Sequence, residues 1–203
     1  MLAFSRLASL LLFVLSLSLL TCAAPTPMSN SLSVREGPRN NLELIHVIAL
    51  DYRAKIVARA DAMIKLEDKI KIALEAETTM KDLKVFADLL AKVKVTGIID
   101  AKLQAEIAGH LYVILKAIIK ICAHLIAKLD INVALELIAK LELAVKLVID
   151  NLQVCVAGVI DICVKLLTDD ELKALVNVHL NILAKLFVKI RLSLGVKVLG
   201  ISL

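Results

Sequence analysis

The chain has 203 residues and a formal net charge of +5, and hydrophobic residues make up 60% of it while aromatic residues make up only 3%. Leu, Ile, Val, Ala and Lys dominate and no proline follows Pro38, a composition that is typical of helices and argues against a β-sandwich. The basic excess lacks interleaved aromatic side chains, which disfavours nucleic acid as a partner.

The N-terminus has the pattern of a secretory signal peptide. Arg6 supplies a positive charge, residues 7–20 form an apolar segment broken only by small residues, and Thr21 and Ala23 suit a cleavage site after Ala23. This segment is shorter than the roughly 20 residues that a membrane-spanning helix needs, so an uncleaved anchor is the weaker alternative. We therefore expect residues 1–24 to be a signal peptide and the protein to be secreted, to the extracellular space or the cell wall.

The rest of the chain divides into a short leader and one domain. Residues 25–39 are rich in serine and contain Gly37 and Pro38, which predicts a flexible leader. Residues 40–203 are enough for one domain with its own hydrophobic core. We expect this segment to be a single helical-bundle domain.

The domain begins with a long predicted helix that starts at Asn40 or Asn41, either of which can cap it. Its apolar residues recur every three or four positions, as on one face of a helix. This inward stripe comprises Ile45, Ala49, Tyr52, Ile56, Ala60, Met63, Leu66, Ile70 and Leu74. Thr78–Thr79 predicts a break and a new helix start, with Asp82 at a spacing like that of a capping box. The segment Val95–Gly97 predicts the end of this second helix.

Two long apolar patterns follow. The first predicts a helix over Ile98–Leu129, after which Asp130 and Asn132 offer a turn and a cap. The second runs from Val133 to Leu167, which is long for one helix of a globular domain. A break or sharp kink is therefore predicted at Asp150–Asn151.

The clearest boundary is the sequence Thr-Asp-Asp-Glu at Thr168–Glu171, a capping box that predicts a last helix running to about Ser193. Short connections favour antiparallel neighbours. The fold class predicted from these patterns is all-α, a single up-and-down bundle of about five to six amphipathic helices.

The central helices carry narrow polar stripes on otherwise apolar surfaces. One stripe consists of Lys116, Lys120, His124 and Lys128, and another of Glu136, Lys140, Glu142, Lys146 and Asp150. Charges interrupt every apolar stretch of the mature chain well before the roughly 18 residues of a span, which argues against transmembrane helices. So much apolar surface can be accommodated in two ways. Either the side chains fill the core completely, or the helices leave a cavity or a face that is covered by a lipid-like ligand, an apolar surface or another copy of the chain. The candidate ligand-lining residues are Leu115, Ile118, Ile119, Cys122, Leu125, Ile138, Leu141, Val145 and Val148.

The cysteines and histidines form no catalytic or metal-binding pattern. Cys122 and His124 lie about 200° apart around a helix, so they cannot form a nucleophile–base pair. No metal-ligand motif or phosphate-binding loop is present, and we expect no enzymatic activity, cofactor or metal. If the chain reverses near Asp130 and Asp150, Cys163 lies level with Cys122, which predicts a Cys122–Cys163 disulfide in an exported protein.

The basic excess is concentrated near the C-terminus. Lys185, Lys189 and Arg191 lie there on an amphipathic segment, and no acidic residue follows Ala174. Such a segment can lie on an anionic membrane surface, which makes these three residues candidate membrane-facing groups. The alternative is a bundle helix with a solvated basic face.

The segment Thr-Cys-Ala-Ala-Pro-Thr-Pro at the end of the signal peptide and the helical stripes from Leu42 to Leu192 resemble those of small secreted fungal proteins. Among these the chain is most similar to the hydrophobic-surface-binding and cell-wall galactomannoprotein family. The resemblance implies a helical bundle that binds fatty acids or adsorbs to apolar surfaces.

The leading functional hypothesis is a secreted helical bundle that binds lipid-like ligands or apolar surfaces through a large apolar interior with a lysine rim. One alternative is a cationic membrane-active protein, toxic or antimicrobial. Another is a structural or host-interaction protein without a small ligand. The sequence leaves the oligomeric state open.

Overall fold

A computed structural model describes residues 41–93 and 100–196, which belong to one compact unit. These two ranges form seven α-helices and contain no strand, so the predicted all-α class is confirmed. The helices are α1 (Asn41–Met63), α2 (Lys69–Lys92), α3 (Ala101–Lys128), α4 (Ile131–Cys155), α5 (Val159–Leu166), α6 (Asp169–Asn177) and α7 (Asn181–Ser193). The predicted signal peptide, the leader and the turn at Val95–Gly97 lie outside the described residues.

The first helix ends earlier than the apolar pattern predicts. It stops at Met63, and the Asp68 carboxylate begins α2 by accepting hydrogen bonds from the backbone N–H groups of Ile70 (2.8 Å) and Lys71 (3.2 Å). A carboxylate at this place satisfies N–H groups that have no partner within the helix. The predicted inward stripe is therefore wrong at its end, where Ile70 and Leu74 are 81% and 59% exposed.

The predicted break at Thr78–Thr79 is also wrong, because α2 continues through it to Lys92. The hydroxyls of Thr78 and Thr79 donate to the backbone carbonyls of Leu74 (2.7 Å) and Glu75 (2.8 Å), one turn earlier in the same helix. Both hydroxyls are thereby satisfied without capping a new helix.

The contact between α1 and α2 is partly ionic. Asp82, predicted to belong to a capping box, is instead buried against α1, where Arg59 binds its carboxylate and Lys55 lies 2.7 Å from it. Arg59 also donates to Glu75 at 2.6 Å. These pairs tie the two helices together in an antiparallel arrangement.

The fourth helix continues through the predicted break at Asp150–Asn151. Lys146 pairs with Asp150 across one turn (2.6 Å), and the Asn151 side-chain amide donates to the Ala87 carbonyl of α2 (2.8 Å). Both polar side chains are therefore satisfied within a continuous helix. The break comes after Cys155, where Gly158 has a φ of 77°, a conformation that glycine adopts without the cost of a Cβ clash.

Two predicted helix starts are confirmed. Asp130 caps α4 by accepting from the Asn132 N–H (3.0 Å), and Thr168 and Glu171 form a reciprocal capping box at the start of α6. The single predicted C-terminal helix is divided into α6 and α7, however. His179 lies between them with a φ of 62°, which is incompatible with a continuous right-handed helix.

The four long helices alternate in direction, but the closest packing pairs are parallel: α1 packs mainly on α3, and α2 on α4. His46 contacts Glu106 near the start of α1 and α3, and Leu66 contacts His124 near their far end. The predicted antiparallel relation concerns helices that are consecutive in the chain, whereas these two parallel pairs are not consecutive. Of the short helices, α5 packs on α3, and α7 packs on α5 and α6.

Of the described helices, α3 is long and apolar enough to cross a membrane by length and composition. Half of its most apolar stretch is buried by the other helices. A central helix of a bundle commonly has these properties, since it is covered on most sides.

Candidate functional site

An open groove runs along the surface between α1 and α3. It has two sections with volumes of about 230 and about 310 Å³, and Val57 and Val113 line both of them. The other lining residues are Leu50, Arg53, Ala54, Ala60, Asp61, Tyr112, Lys116, Ala117 and Lys120. Small side chains on the facing surfaces leave this space between the two helices. Because ligand pockets typically measure roughly 300–1,000 Å³, the groove is large enough for a slender apolar chain.

The edge of the groove is mainly cationic. Arg53, Lys116 and Lys120 lie along it together with one acidic residue, Asp61. Lys120 is exposed and has no ionic partner in the described part of the chain. An apolar floor with a positive edge is complementary to an amphiphile that has an anionic head group.

The side chain of Lys116 is held beside the groove by two polar partners. Its ammonium group lies 3.1 Å from Glu171 of α6 and donates to the Tyr112 hydroxyl at 3.3 Å. The Tyr112 hydroxyl in turn donates to Glu171 at 2.8 Å. The hydrogen bond to Glu171 raises the pKa of Lys116, so this lysine stays charged at neutral pH.

His110 contacts Arg53 of the groove, and a second histidine, His46, contacts His110. His110 is buried, and its Nδ1 lies 3.3 Å from Nη1 of Arg53. Because a guanidinium group only donates, Nδ1 accepts and the proton of neutral His110 is on Nε2, which has no hydrogen-bond partner. The ring of His46 lies 5.1 Å from that of His110 and its Nε2 lies 3.2 Å from Glu106. Across residues 41–93 and 100–196, no group of three or more His, Cys, Asp or Glu is arranged to hold a metal ion.

His110 is expected to make the folded protein less stable at mildly acidic pH. Burial lowers the pKa of His110, and the charges of His46 and Arg53 lower it further, against an opposing effect of Glu106. As the pH falls below about 6.5, the unfolded chain therefore binds a proton before the folded chain does. The free energy of unfolding is therefore not reduced by His110 above this pH. Below it, the free energy of unfolding decreases by at most about 1.4 kcal/mol per pH unit.

Urea unfolding at about pH 7 and about pH 5 measures this effect. The variant His110→Gln is expected to lose this part of the pH dependence, whereas His179→Asn, at an exposed histidine, is expected to keep it. The same pH dependence in the wild type and in His110→Gln would contradict the assignment.

The nine predicted ligand-lining residues lie in the hydrophobic core and not in the groove. All of them except the half-buried Ile119 are at most 1% exposed, and they pack within one continuous cluster. None of the nine lines either section of the groove. The structure brings these residues together as side chains that fill the core by contacting one another.

Two of the three basic residues predicted to face a membrane lie on the surface of the last helix. Lys185 and Lys189 are exposed on α7, on the same face as Ile182 and Leu192, which are 44% and 62% exposed. Arg191 is only 5% exposed and binds groups inside the protein, so its prediction as a membrane-facing residue is wrong.

The predicted disulfide is not formed, because Cys122 and Cys163 are free, buried thiols. The prediction assumed a chain reversal near Asp150, but α4 continues to Cys155 and thereby shifts the register of Cys163. Burial raises the pKa of Cys122 and of Cys163 to about 12, so both remain protonated at neutral pH. They act as small apolar side chains in the core.

The groove between α1 and α3 is not among the features predicted from the sequence. A signal was present in the small residues that recur at helical spacing, such as Val57 and Ala60 on one helix and Val113 and Ala117 on the other. These residues predict faces on which two helices leave space, but only the structure identifies α1 and α3 as partners.

The chain matches no protein-family model, no curated protein and no solved structure at a significant level.

Proposed function

We propose that this is a secreted helical protein that binds lipid-like molecules with an anionic head group, in the groove between α1 and α3. The observation that carries the proposal is the combination of an apolar floor, at Val57 and Val113, with the cationic edge of Arg53, Lys116 and Lys120. Such binding requires no catalytic step, cofactor or metal. The resemblance to the hydrophobic-surface-binding and cell-wall galactomannoprotein family implies the same class of ligand.

This proposal moves the binding site from the interior to the surface. In the groove, a ligand chain gains about 25 cal/mol for each Å² of apolar surface that leaves water. The lysines add attraction to a carboxylate, and this part weakens as salt concentration rises. Because one side of the groove is open to solvent, we expect affinities in the micromolar range, as for an incompletely buried ligand.

Binding of dodecanoate, measured by competition with a fluorescent fatty acid, tests the proposal. Ala54→Glu places a carboxylate at an exposed site on the groove, so the protein stays folded while the affinity falls at least about tenfold. Val154→Glu is the matched control, because Val154 is 87% exposed and lies outside the groove. Equal affinities of the two variants would contradict the proposed site.

The role of the positive edge is tested with a pair of ligands. Lys120→Gln is expected to weaken the binding of dodecanoate but not that of the uncharged dodecanol, since only the carboxylate interacts with the ammonium group. Lys84→Gln, at an exposed residue of α2, is the control and is expected to change neither.

A second candidate function is activity on anionic membranes, favoured by the exposed face of α7. This face combines Lys185 and Lys189 with Ile182 and Leu192, as in helices that lie on lipid surfaces. The wild type would then release dye from anionic vesicles, and the double variant Lys185→Glu with Lys189→Glu would not. Release unaffected by both changes would exclude α7 as the cause.

A further inference from the structure

A second apolar surface lies at one end of the bundle, where the start of α2 meets the turn between α3 and α4. A groove of about 310 Å³ is found there. Its lining residues are Lys69, Ile70, Ala73, Leu129, Asp130 and Val133. We call these six residues together with Leu74 and Ile131 the end patch.

The end patch combines a protruding apolar ridge with an adjacent depression. Ile70 is 81% exposed and Leu74, one turn further along α2, is 59% exposed. Beside them, Ile131 and Val133 of α4 are 49% and 46% exposed. Single exposed apolar residues are ordinary in proteins, whereas several neighbouring ones that border a groove are typical of an interaction surface.

The backbone around the end patch is fixed by contacts between α3 and the loop that precedes α2. Lys128 pairs with Glu67 at 2.6 Å, and Nε2 of His124 lies 3.2 Å from the carbonyl oxygen of Leu66. The Asp68 cap fixes the first turn of α2. The surface is therefore preformed, which reduces the entropy that a partner must overcome on binding.

We propose that the end patch binds the end patch of a second copy of this chain, forming a two-fold symmetric dimer. In such a dimer each surface contacts its own equivalent, so one patch must offer both a protrusion and a depression. The exposed Ile70 of one copy is the protrusion, and the groove lined by Ala73, Leu129 and Val133 of the other copy is the depression. The inference is independent of the groove between α1 and α3.

The charges of the end patch also favour a second copy as the partner. Lys69 and Asp130 line the same groove with opposite signs, so a two-fold axis can place each lysine against the aspartate of the other copy. Lys69 has no ion pair within the described ranges, and the Asp130 cap uses Oδ1. A balanced pair of charges gives no net attraction to an anionic membrane, in contrast to the cationic edge between α1 and α3.

Sedimentation velocity over a range of protein concentrations tests the proposal with the intact mature protein. The wild type is expected to show a reversible monomer–dimer equilibrium. Ile70→Ser is expected to weaken the dimer at least about tenfold, as truncation of a central anchor residue does. Val154→Ser is the matched control, because this residue is similarly exposed, at 87%, on another surface. A wild-type protein that remains monomeric at the highest concentration would overturn the proposal.

A charge variant provides a second measurement that does not depend on apolar area. Lys69→Glu places two acidic groups together on each side of the two-fold axis and is expected to weaken the dimer, whereas Lys84→Glu, also on α2, is expected to leave it unchanged. Dimers that tolerate both Ile70→Ser and Lys69→Glu would show that another surface is used. The protein could instead remain monomeric and bind vesicles, with this binding abolished by Ile70→Ser. That result would make the end patch a membrane contact and would likewise overturn the proposal. Dodecanoate binding is expected to survive both changes.

Discussion

Replacing Arg191 with alanine is expected to destabilise the folded protein by about 3 kcal/mol. The guanidinium group donates to the backbone carbonyls of Val164 and Leu167, at the C-terminal end of α5, and binds the carboxylate of Asp169 at the start of α6. The last carbonyls of a helix have no partner within the helix, so Arg191 satisfies groups that would otherwise be buried without one. Its removal also leaves a cavity where the side chain now packs.

Chemical denaturation of Arg191→Ala measures this loss. Arg191→Lys is expected to be intermediate, because an ammonium group keeps the charge but cannot reproduce the fork of donors. Lys189→Ala, two residues away and exposed, is the control and is expected to change stability by less than about 0.5 kcal/mol. The opposite result would be an Arg191→Ala variant that is as stable as Lys189→Ala but no longer binds vesicles. Arg191 would then be a membrane-facing residue, as the sequence pattern predicts.

Replacing Glu142 with alanine is expected to destabilise the folded protein by a similar amount, about 3 kcal/mol. Glu142 is 4% exposed, and Oε1 accepts hydrogen bonds from the backbone N–H groups of Ile182 (2.6 Å) and Leu183 (3.0 Å). These N–H groups belong to the first turn of α7, whose N-cap residue Leu180 provides no side-chain bond. The carboxylate of one helix therefore caps another, and the first turn of α7 is expected to be less stable when the cap is removed.

The isosteric variant Glu142→Gln separates the hydrogen bonds from the charge. Burial raises the pKa of Glu142, while the hydrogen bonds from Leu183 and Ile182 act in the opposite direction. Since the pKa in the folded state is above its ordinary value, the contribution of Glu142 to stability decreases as the pH rises from about 4.5. Glu142→Gln lacks this decrease, so its deficit relative to the wild type is expected to be larger near pH 4.5 than at higher pH. A deficit that grows with pH would contradict this assignment.

Local sequence signals predict two of the helix starts, because the chemistry of a cap involves residues that are close in the chain. Asp130 and Thr168–Glu171 were identified in this way. Asp68 was overlooked because apolar residues continue at helical spacing on both sides of it. Asp150 was assigned to a break because the sequence does not show that Lys146 and α2 satisfy the polar groups of this segment.

The roles of the buried charges could not be predicted in the same way. Glu142 fits the spacing of an exposed stripe, and its actual partner Leu183 lies 41 residues further along the chain. Arg191 fits a basic outer face, and its partner Asp169 precedes it by 22 residues. Both assignments depend on how α4, α5, α6 and α7 are arranged in space, which the periodicity of a single helix does not contain.

We expect the ligand to bind in the surface groove and not in the core. Methyl NMR spectra of the isotope-labelled protein during a titration with dodecanoate test this site most directly. The methyl signals of Val57 and Val113 are expected to shift, and those of the core residues Leu115 and Val145 to stay unchanged. Shifts centred on Leu115 and Val145, with Val57 and Val113 unaffected, would contradict the surface site and restore the interior as the place of binding.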